Sequence, residues 1–114
     1  MGLYMKKKNG IFVVKIYAQQ MKFKTILYSN HAVKQMFQRS ISIEEVEYAL
    51  QNGEIIMEYK EDKPYPSSLL LAFYKKRPLH VVSSFNVMDK TTIVITAYEP
   101  SLDIWENDFK SRKN

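Results

Sequence analysis

At 114 residues the chain is long enough to bury one real core without staples and too short for two domains. It has no cysteine, which excludes disulfides and thiolate metal sites, and its two histidines, His31 and His80, are too far apart for a zinc motif. The net charge of +5 is unevenly placed: residues 1–20 hold four lysines and no acid, so 13 basic residues face 12 acidic ones in 21–114.

No apolar run approaches the roughly 18–20 residues of a membrane span. Lysines near the start resemble a secretory n-region, but Ile11 to Val14 is cut short by Lys15, below the roughly 7–15 apolar residues such a signal needs. The protein is expected in the cytoplasm. Met21 opens a segment that would itself make a sensible N-terminus. Residues 1–20 therefore read as a dispensable basic extension or as an added strand over Ile11 to Tyr17, and residues 21–114 as a single domain.

Phe23 to Tyr28 alternates and reads as a short strand, after which Ser29 or Asn30 offers a helix cap. Over His31 to Ser40 the apolar residues Ala32, Val33, Met36 and Phe37 gather on one side. His31, Gln35 and Arg39 recur at i, i+4 and i+8 beside Lys34 and Gln38. That stripe is either a solvated face or a cationic, hydrogen-bonding face for a polyanion. Ser42-Ile43-Glu44-Glu45 is a capping box opening a second helix through Gln51, with Ile43, Val46, Ala49 and Leu50 as its buried side. Asn52-Gly53 ends it, Gly53 being expected in a left-handed conformation.

Glu54 to Lys60 alternates as a half-buried strand, and Glu61 to Pro66 is a turn. Ser68 to Tyr74 is nearly all apolar, as for a central strand covered on both faces. Lys75-Lys76-Arg77-Pro78 is a basic turn, the densest positive cluster of the domain. Leu79 to Asn86 and Thr92 to Tyr98 form a hairpin, Pro100 stops pairing, and Trp105 is expected to cap an edge of the core. Phe109 to Asn114 reads as a frayed end. The expected fold is α+β: two N-terminal helices packed on one face of a four- to five-stranded antiparallel sheet.

The hairpin register decides which polar residues meet. A two-residue loop at Asp89-Lys90 would put His80 on the face of Ile93, Ile95 and Ala97. A three-residue loop, or an equivalent bulge, pairs His80 with Tyr98 and Val82 with Thr96. Hydrophobic sorting favours the second. It collects Leu79, Val81, Phe85, Ile93, Ile95 and Ala97 on one face. His80, Val82, Ser84, Asn86, Thr92, Val94, Thr96 and Tyr98 take the other.

There is no phosphate-binding glycine loop, no serine elbow and no metal-ligand cluster, so no metal or other cofactor is expected. The polar set that remains is His31, Arg39, His80, Thr96 and Tyr98, with Glu54 and Glu99. These residue types suit metal-free phosphodiester cleavage. An imidazole or carboxylate takes the proton of a ribose 2′-OH, a guanidinium holds phosphate oxygens, and a hydroxyl or imidazolium meets the leaving oxygen. A strand histidine is also commonly a structural hydrogen-bonder.

The segments HAVKQMFQRSI, EEVEYALQNGEII, PLHVV and ITAYEPSLDIW together resemble the DUF4258 family over residues 23–112. That family's pattern looks like HAxxRMxxRxI, a helix ending at GEII, an LHVV strand and an IITxYxP segment followed by Trp. It is similar in predicted fold to the ribonuclease toxins grouped around barnase, the colicin tRNases and RelE. The resemblance implies a toxin of a toxin–antitoxin pair, with RNA as substrate and an antitoxin protein as partner. It carries over His31, Arg39, His80, Thr96 and Tyr98 as site residues. Gln35 departs from the pattern's arginine, and Lys34 next to it supplies charge but no bidentate fork.

The leading expectation is a metal-independent endoribonuclease. His80 and His31 transfer protons, Arg39 grips phosphate, and Thr96 and Tyr98 position or protonate. Lys34, Gln35, Lys75, Lys76 and Arg77 help hold the RNA. The alternative is a non-catalytic module that docks a protein partner. Histidines buried against backbone would favour the module, and side chains converging in an open groove the enzyme.

Overall fold

A computed structural model describes residues 3–8, 11–16 and 25–114. Strands β1 (Leu3–Lys8) and β2 (Ile11–Ile16) pair antiparallel. Of the two readings of residues 1–20, basic extension or added strand over Ile11 to Tyr17, the second overlaps β2. Tyr17 and Phe23, where two expected strands had an end, lie outside the described residues.

Strand β3 (Thr25–Ser29) alternates, with Ile26 and Tyr28 buried. Ser29, rather than Asn30, caps helix α1 (Asn30–Gln38), its Oγ accepting from Ala32 N at 3.0 Å. Helix α1 buries Ala32 and Met36 and packs Val33 beside them. Phe37 was expected on this side, yet it is 88% exposed. It lies about 100° around the helix from Met36, past the edge of a narrow core stripe.

Helix α2 (Ile43–Asn52) opens with the expected capping box. Glu45 N donates to Ser42 Oγ at 3.1 Å and Ser42 N to Glu45 Oε1 at 3.2 Å. Its end differs from expectation. Gly53 has φ −71° and ψ 155°, an extended conformation open to any residue. The glycine is needed for space instead. A Cβ there would sit 2.4 Å from the Ala49 carbonyl oxygen and 3.3 Å from both Leu70 Cβ and the Leu71 carbonyl oxygen.

Four strands follow: β4 (Glu54–Tyr59), β5 (Ser67–Tyr74), β6 (Arg77–Asn86) and β7 (Thr91–Tyr98). In residues 25–114 five strands form one sheet in the order β3-β7-β6-β5-β4, and β2 and β1 extend it beyond β3. The fold is α+β, but two expectations need correction. The helices come after a strand, not at the N-terminus of the domain. The sheet is mixed rather than antiparallel, because β3 runs parallel to β7, with Ile26 opposite Thr92 and Tyr28 opposite Val94. Parallel neighbours need a long crossover, and here both helices and three strands intervene. Strand β4 is also more exposed than its alternation implied, with Ile55 and Met57 open to solvent and the register broken between them. It is an edge strand, and a bulge is a common feature of such edges.

Helix residues Ala32, Met36, Val46, Ala49 and Leu50 cover Ile26, Tyr28, Leu70, Ala72, Leu79, Val81, Val94 and Ala97 on one face of the sheet. Strand β5 is buried on both faces, Leu70 and Ala72 on this side and Leu69 and Leu71 on the other, as its unbroken apolar run requires.

In the β6–β7 hairpin His80 pairs with Tyr98 and Val82 with Thr96. The route to this register is a bulge: Asn86 pairs with Thr91 across four loop residues, and Ile95 is left over between Val82–Thr96 and Ser83–Val94. The bulge reverses the sorting expected for the first half of β7. Thr92 and Val94 are buried beside Ile26 and Tyr28, while Ile93 is only partly covered.

The end of the chain is ordered. Ile104 N and Trp105 N donate to the Ser101 carbonyl, Glu106 N to Ser111 and Lys113 N to Ile104, and Trp105 bridges Arg112. The expected frayed segment is thus one arm of a small hairpin. Trp105 covers a face of the sheet rather than an edge of the helix-side core. No helix among the described residues is long and apolar enough to cross a membrane.

Candidate functional site on the second sheet face

Strand β3 ends at Ser29, whose Oγ donates to the Ile95 carbonyl at 3.1 Å. Among the described residues no strand pairs with the second half of β7 on that side, and α1 runs on from β3 alongside it. This brings Gln35 to Thr96, whose Oγ1 donates to Gln35 Oε1. His31, one turn earlier, and Arg39, one turn later, share that stripe of the helix and are both exposed.

On the sheet itself His80 has no exposed surface. Its Nε2 is 2.8 Å from the Phe109 carbonyl oxygen, and its Nδ1 is 3.1 Å from the Tyr98 hydroxyl. A carbonyl only accepts, so Nε2 carries the proton and Tyr98 O–H donates to Nδ1. Trp105 meets the imidazole edge-on at 4.6 Å between ring centres. Burial pushes the His80 pKa down, against a smaller upward pull from the Phe109 carbonyl. His80 is a neutral ring with both nitrogens engaged.

Tyr98 is partly exposed. Burial raises its phenol pKa, with Tyr59 adding to the rise, while the nearby guanidiniums of Arg112 and Arg39 pull it back. The phenol keeps its proton at neutral pH and lies within the field of two cations.

Arg77 serves the fold. Its Nε donates to Glu99 Oε1 at 2.7 Å, Nη1 to Glu45 Oε2 at 3.1 Å and to the Ser40 carbonyl at 2.9 Å, and Nη2 to the Arg39 carbonyl at 2.8 Å. The guanidinium thus closes the C-terminal end of α1 and ties it to the capping carboxylate of α2. Lys75 and Lys76 form the tight β5–β6 turn at φ 48° and 73°, both exposed, with Lys75 Nζ 5.5 Å from the Tyr74 ring centre. Lys34 is exposed on α1. Glu99 is held by Arg77, and Glu54 meets Lys110 Nζ at 3.0 Å.

The predicted residues thus divide. His80, Tyr98, Thr96, Gln35 and Arg39 come together, from β6, β7 and α1. His31 and Lys34 lie outward on the same helix, and Lys75 and Lys76 at a separate turn. Three contributors escaped the sequence reading: the Phe109 carbonyl, Trp105 as the lid on His80, and Arg112. A signal for them existed. Ser101 Oγ accepts from Asp103 N at 3.0 Å, and Asp108 Oδ1 from Lys110 N at 2.9 Å and Ser111 N at 3.2 Å. These are short side-chain turns whose residue types mark an ordered tail.

Fold and site together define a small α+β domain with a cationic polar site on its second sheet face. A family model described as a domain of unknown function, DUF4258, matches residues 28–99, and the chain belongs to that family. The match stops short of the 101–113 hairpin that the sequence resemblance had included. No curated protein and no solved structure matches the chain.

Proposed function

We propose that this chain is an endoribonuclease of the toxin type, acting in the cytoplasm without a metal ion and held in check by an antitoxin protein. The observation that carries this reading is the convergence of Arg39, Gln35, Thr96, Tyr98 and His80 from three separate elements on one side of the sheet. Arg39 grips a non-bridging phosphate oxygen. Tyr98 and Thr96 supply neutral hydroxyls, whose protons turn from His80 Nδ1 and Gln35 Oε1 to the phosphate when substrate arrives. His31, exposed on the same helical stripe, is the group free to take the ribose 2′-OH proton. The 2′-oxygen then attacks phosphorus, and the P–O5′ bond breaks with the 5′-oxygen taking the proton of Tyr98, giving a 2′,3′-cyclic phosphate and a 5′-hydroxyl; the proton held by His31 returns through solvent to the phenolate. His80 becomes a positioning residue that orients Tyr98, since neither of its nitrogens is free to meet substrate.

A second reading has its own observation. A histidine buried against a backbone carbonyl is what a non-catalytic module needs to pin its tail to its sheet, and exposed Phe37, Leu102 and Ile104 offer apolar surface to a partner. Induced expression in bacteria separates the two, with growth and RNA integrity followed for wild type, Tyr98→Phe and Arg39→Ala. Growth arrest with RNA breakdown that both variants lose supports the enzyme. Undisturbed growth and intact RNA with wild type gives the lead to the docking module.

A further inference from the structure

We propose that the C-terminal hairpin, residues 101–113, is the far wall of the RNA site, and that Arg112 binds phosphate there as the counterpart of Arg39. The inference rests on the ribonuclease reading and adds to it a segment and a residue outside the family match.

The hairpin is held firmly enough to serve as a wall. Trp105 N donates to the Ser101 carbonyl at 2.9 Å, and Glu106 N to Ser111 and Lys113 N to Ile104, both at 2.8 Å. Trp105 is buried against His80, the Phe109 carbonyl accepts from His80 Nε2, and Lys110 reaches across the strands to Glu54 at 3.0 Å. Each contact lies on the sheet face that carries His80 and Tyr98.

Of the hairpin's cations, Arg112 is the one ordered on Trp105 while its charge stays unpaired among the described residues. Lys110 is neutralised by Glu54, whereas no carboxylate among the described residues comes within ion-pair distance of Arg112. Its guanidinium carbon is 5.7 Å from the centre of the Trp105 ring, an arrangement that orders the side chain without consuming its fork of donors. Trp105 in turn stands on His80, and His80 accepts from Tyr98. One contiguous stack therefore runs from Arg112 to the phenol.

Arg39 closes α1 one turn after Gln35, which accepts from Thr96 Oγ1, and it likewise has no carboxylate partner among the described residues; its charge, like that of Arg112, draws the phenol pKa down. Arg77, the remaining arginine, is fully engaged within the fold. Two guanidiniums without carboxylate partners, one at the end of α1 and one on the hairpin, suit the oxygens of a phosphodiester backbone, to which each fork donates in pairs. Residues 21–114 are close to neutral overall, so binding would depend on these local charges rather than on a general positive surface.

The test is binding of a short, uncleavable 2′-O-methyl RNA to the full chain over a range of salt, followed by fluorescence anisotropy. Compared with wild type are Arg112→Met, Arg112→Lys, Arg39→Met and Lys113→Met, all checked by thermal melting. The methionine variant keeps an apolar stem over Trp105, so a folded protein is expected. Loss of one phosphate contact lowers the log–log salt slope by about 0.7 for a single strand. Arg112→Met and Arg39→Met should each show that drop with several-fold weaker binding, Arg112→Lys should recover most of the slope, and Lys113→Met should match wild type. If Arg112→Met behaves like Lys113→Met while Arg39→Met loses the contact, the hairpin wall is wrong and the ribonuclease site stands. If wild type fails to bind RNA, both fall.

Discussion

The Tyr98 hydroxyl donates to Nδ1 of His80 while the opposite nitrogen of the same ring donates to the Phe109 carbonyl. One imidazole therefore joins the last strand of the sheet to the chain that crosses over it, and the junction holds only while the ring is neutral. A second proton would sit on Nδ1, facing a hydroxyl that must turn around to accept, on a ring with no exposed surface.

This gives a pH dependence with a definite sign. Burial lowers the His80 pKa in the folded chain below the ordinary value of 6.5. The unfolded chain then binds the extra proton first, so stability falls as pH drops below about 6.5 and continues to fall to the folded value. The slope is at most about 1.4 kcal/mol per pH unit for one proton. Thermal melting from neutral to mildly acid pH should show it in wild type, and His80→Gln should flatten this contribution. His80→Ala should lose about 3 kcal/mol at neutral pH, through an unfilled volume and a buried carbonyl left without its donor. A pH profile that His80→Gln leaves unchanged would mean that another group titrates.

At Gly53 the limiting factor is space. With φ at −71° alanine has no backbone penalty, yet its Cβ would lie 2.4 Å from the Ala49 carbonyl oxygen, a backbone atom that cannot swing away. Gly53→Ala should therefore destabilise by about 1–3 kcal/mol, the range for overpacking, as read by chemical denaturation. Were the glycine there only for flexibility, the same change would stabilise by about 0.4–1 kcal/mol.

Tyr28 presents the reverse case. Its ring is buried under the helices, and neither its hydroxyl nor Oε1 of Glu47 has a hydrogen-bond partner among the described residues. Burial pushes this phenol pKa strongly upward, with Glu47 and Glu44 adding to the shift. A buried, unpaired hydroxyl is a cost that phenylalanine avoids, so Tyr28→Phe should raise stability by about 1 kcal/mol. A loss of the same size would show that the hydroxyl meets Glu47 in solution.

What the sequence made legible follows from the range of each signal. The Ser42–Glu45 box, the apolar run of β5 and the amphipathic stripe of α2 are local, and the structure repeats them. The His80–Tyr98 pairing was within reach because sorting the hairpin's apolar residues constrains its far end. It could not locate the bulge at Ile95, since the burial of Thr92 and Val94 depends on β3, a strand distant in sequence. The parallel β3–β7 pair was hidden for the same reason. The partners of His80, the Phe109 carbonyl and the Trp105 ring, were out of reach because they belong to a polar tail that reads as a frayed end. Turn chemistry at Ser101 and Asp108 was the clue to its order.

The proposed cleavage of RNA on this sheet face is tested most directly by the fate of a defined RNA incubated with the purified chain in a metal chelator. Internal cleavage leaving 2′,3′-cyclic phosphate and 5′-hydroxyl ends is expected, with Tyr98→Phe and Arg39→Ala each slower by roughly 100-fold or more and still folded. RNA that stays intact with wild type, or cleavage that both variants perform as well as wild type, would contradict it.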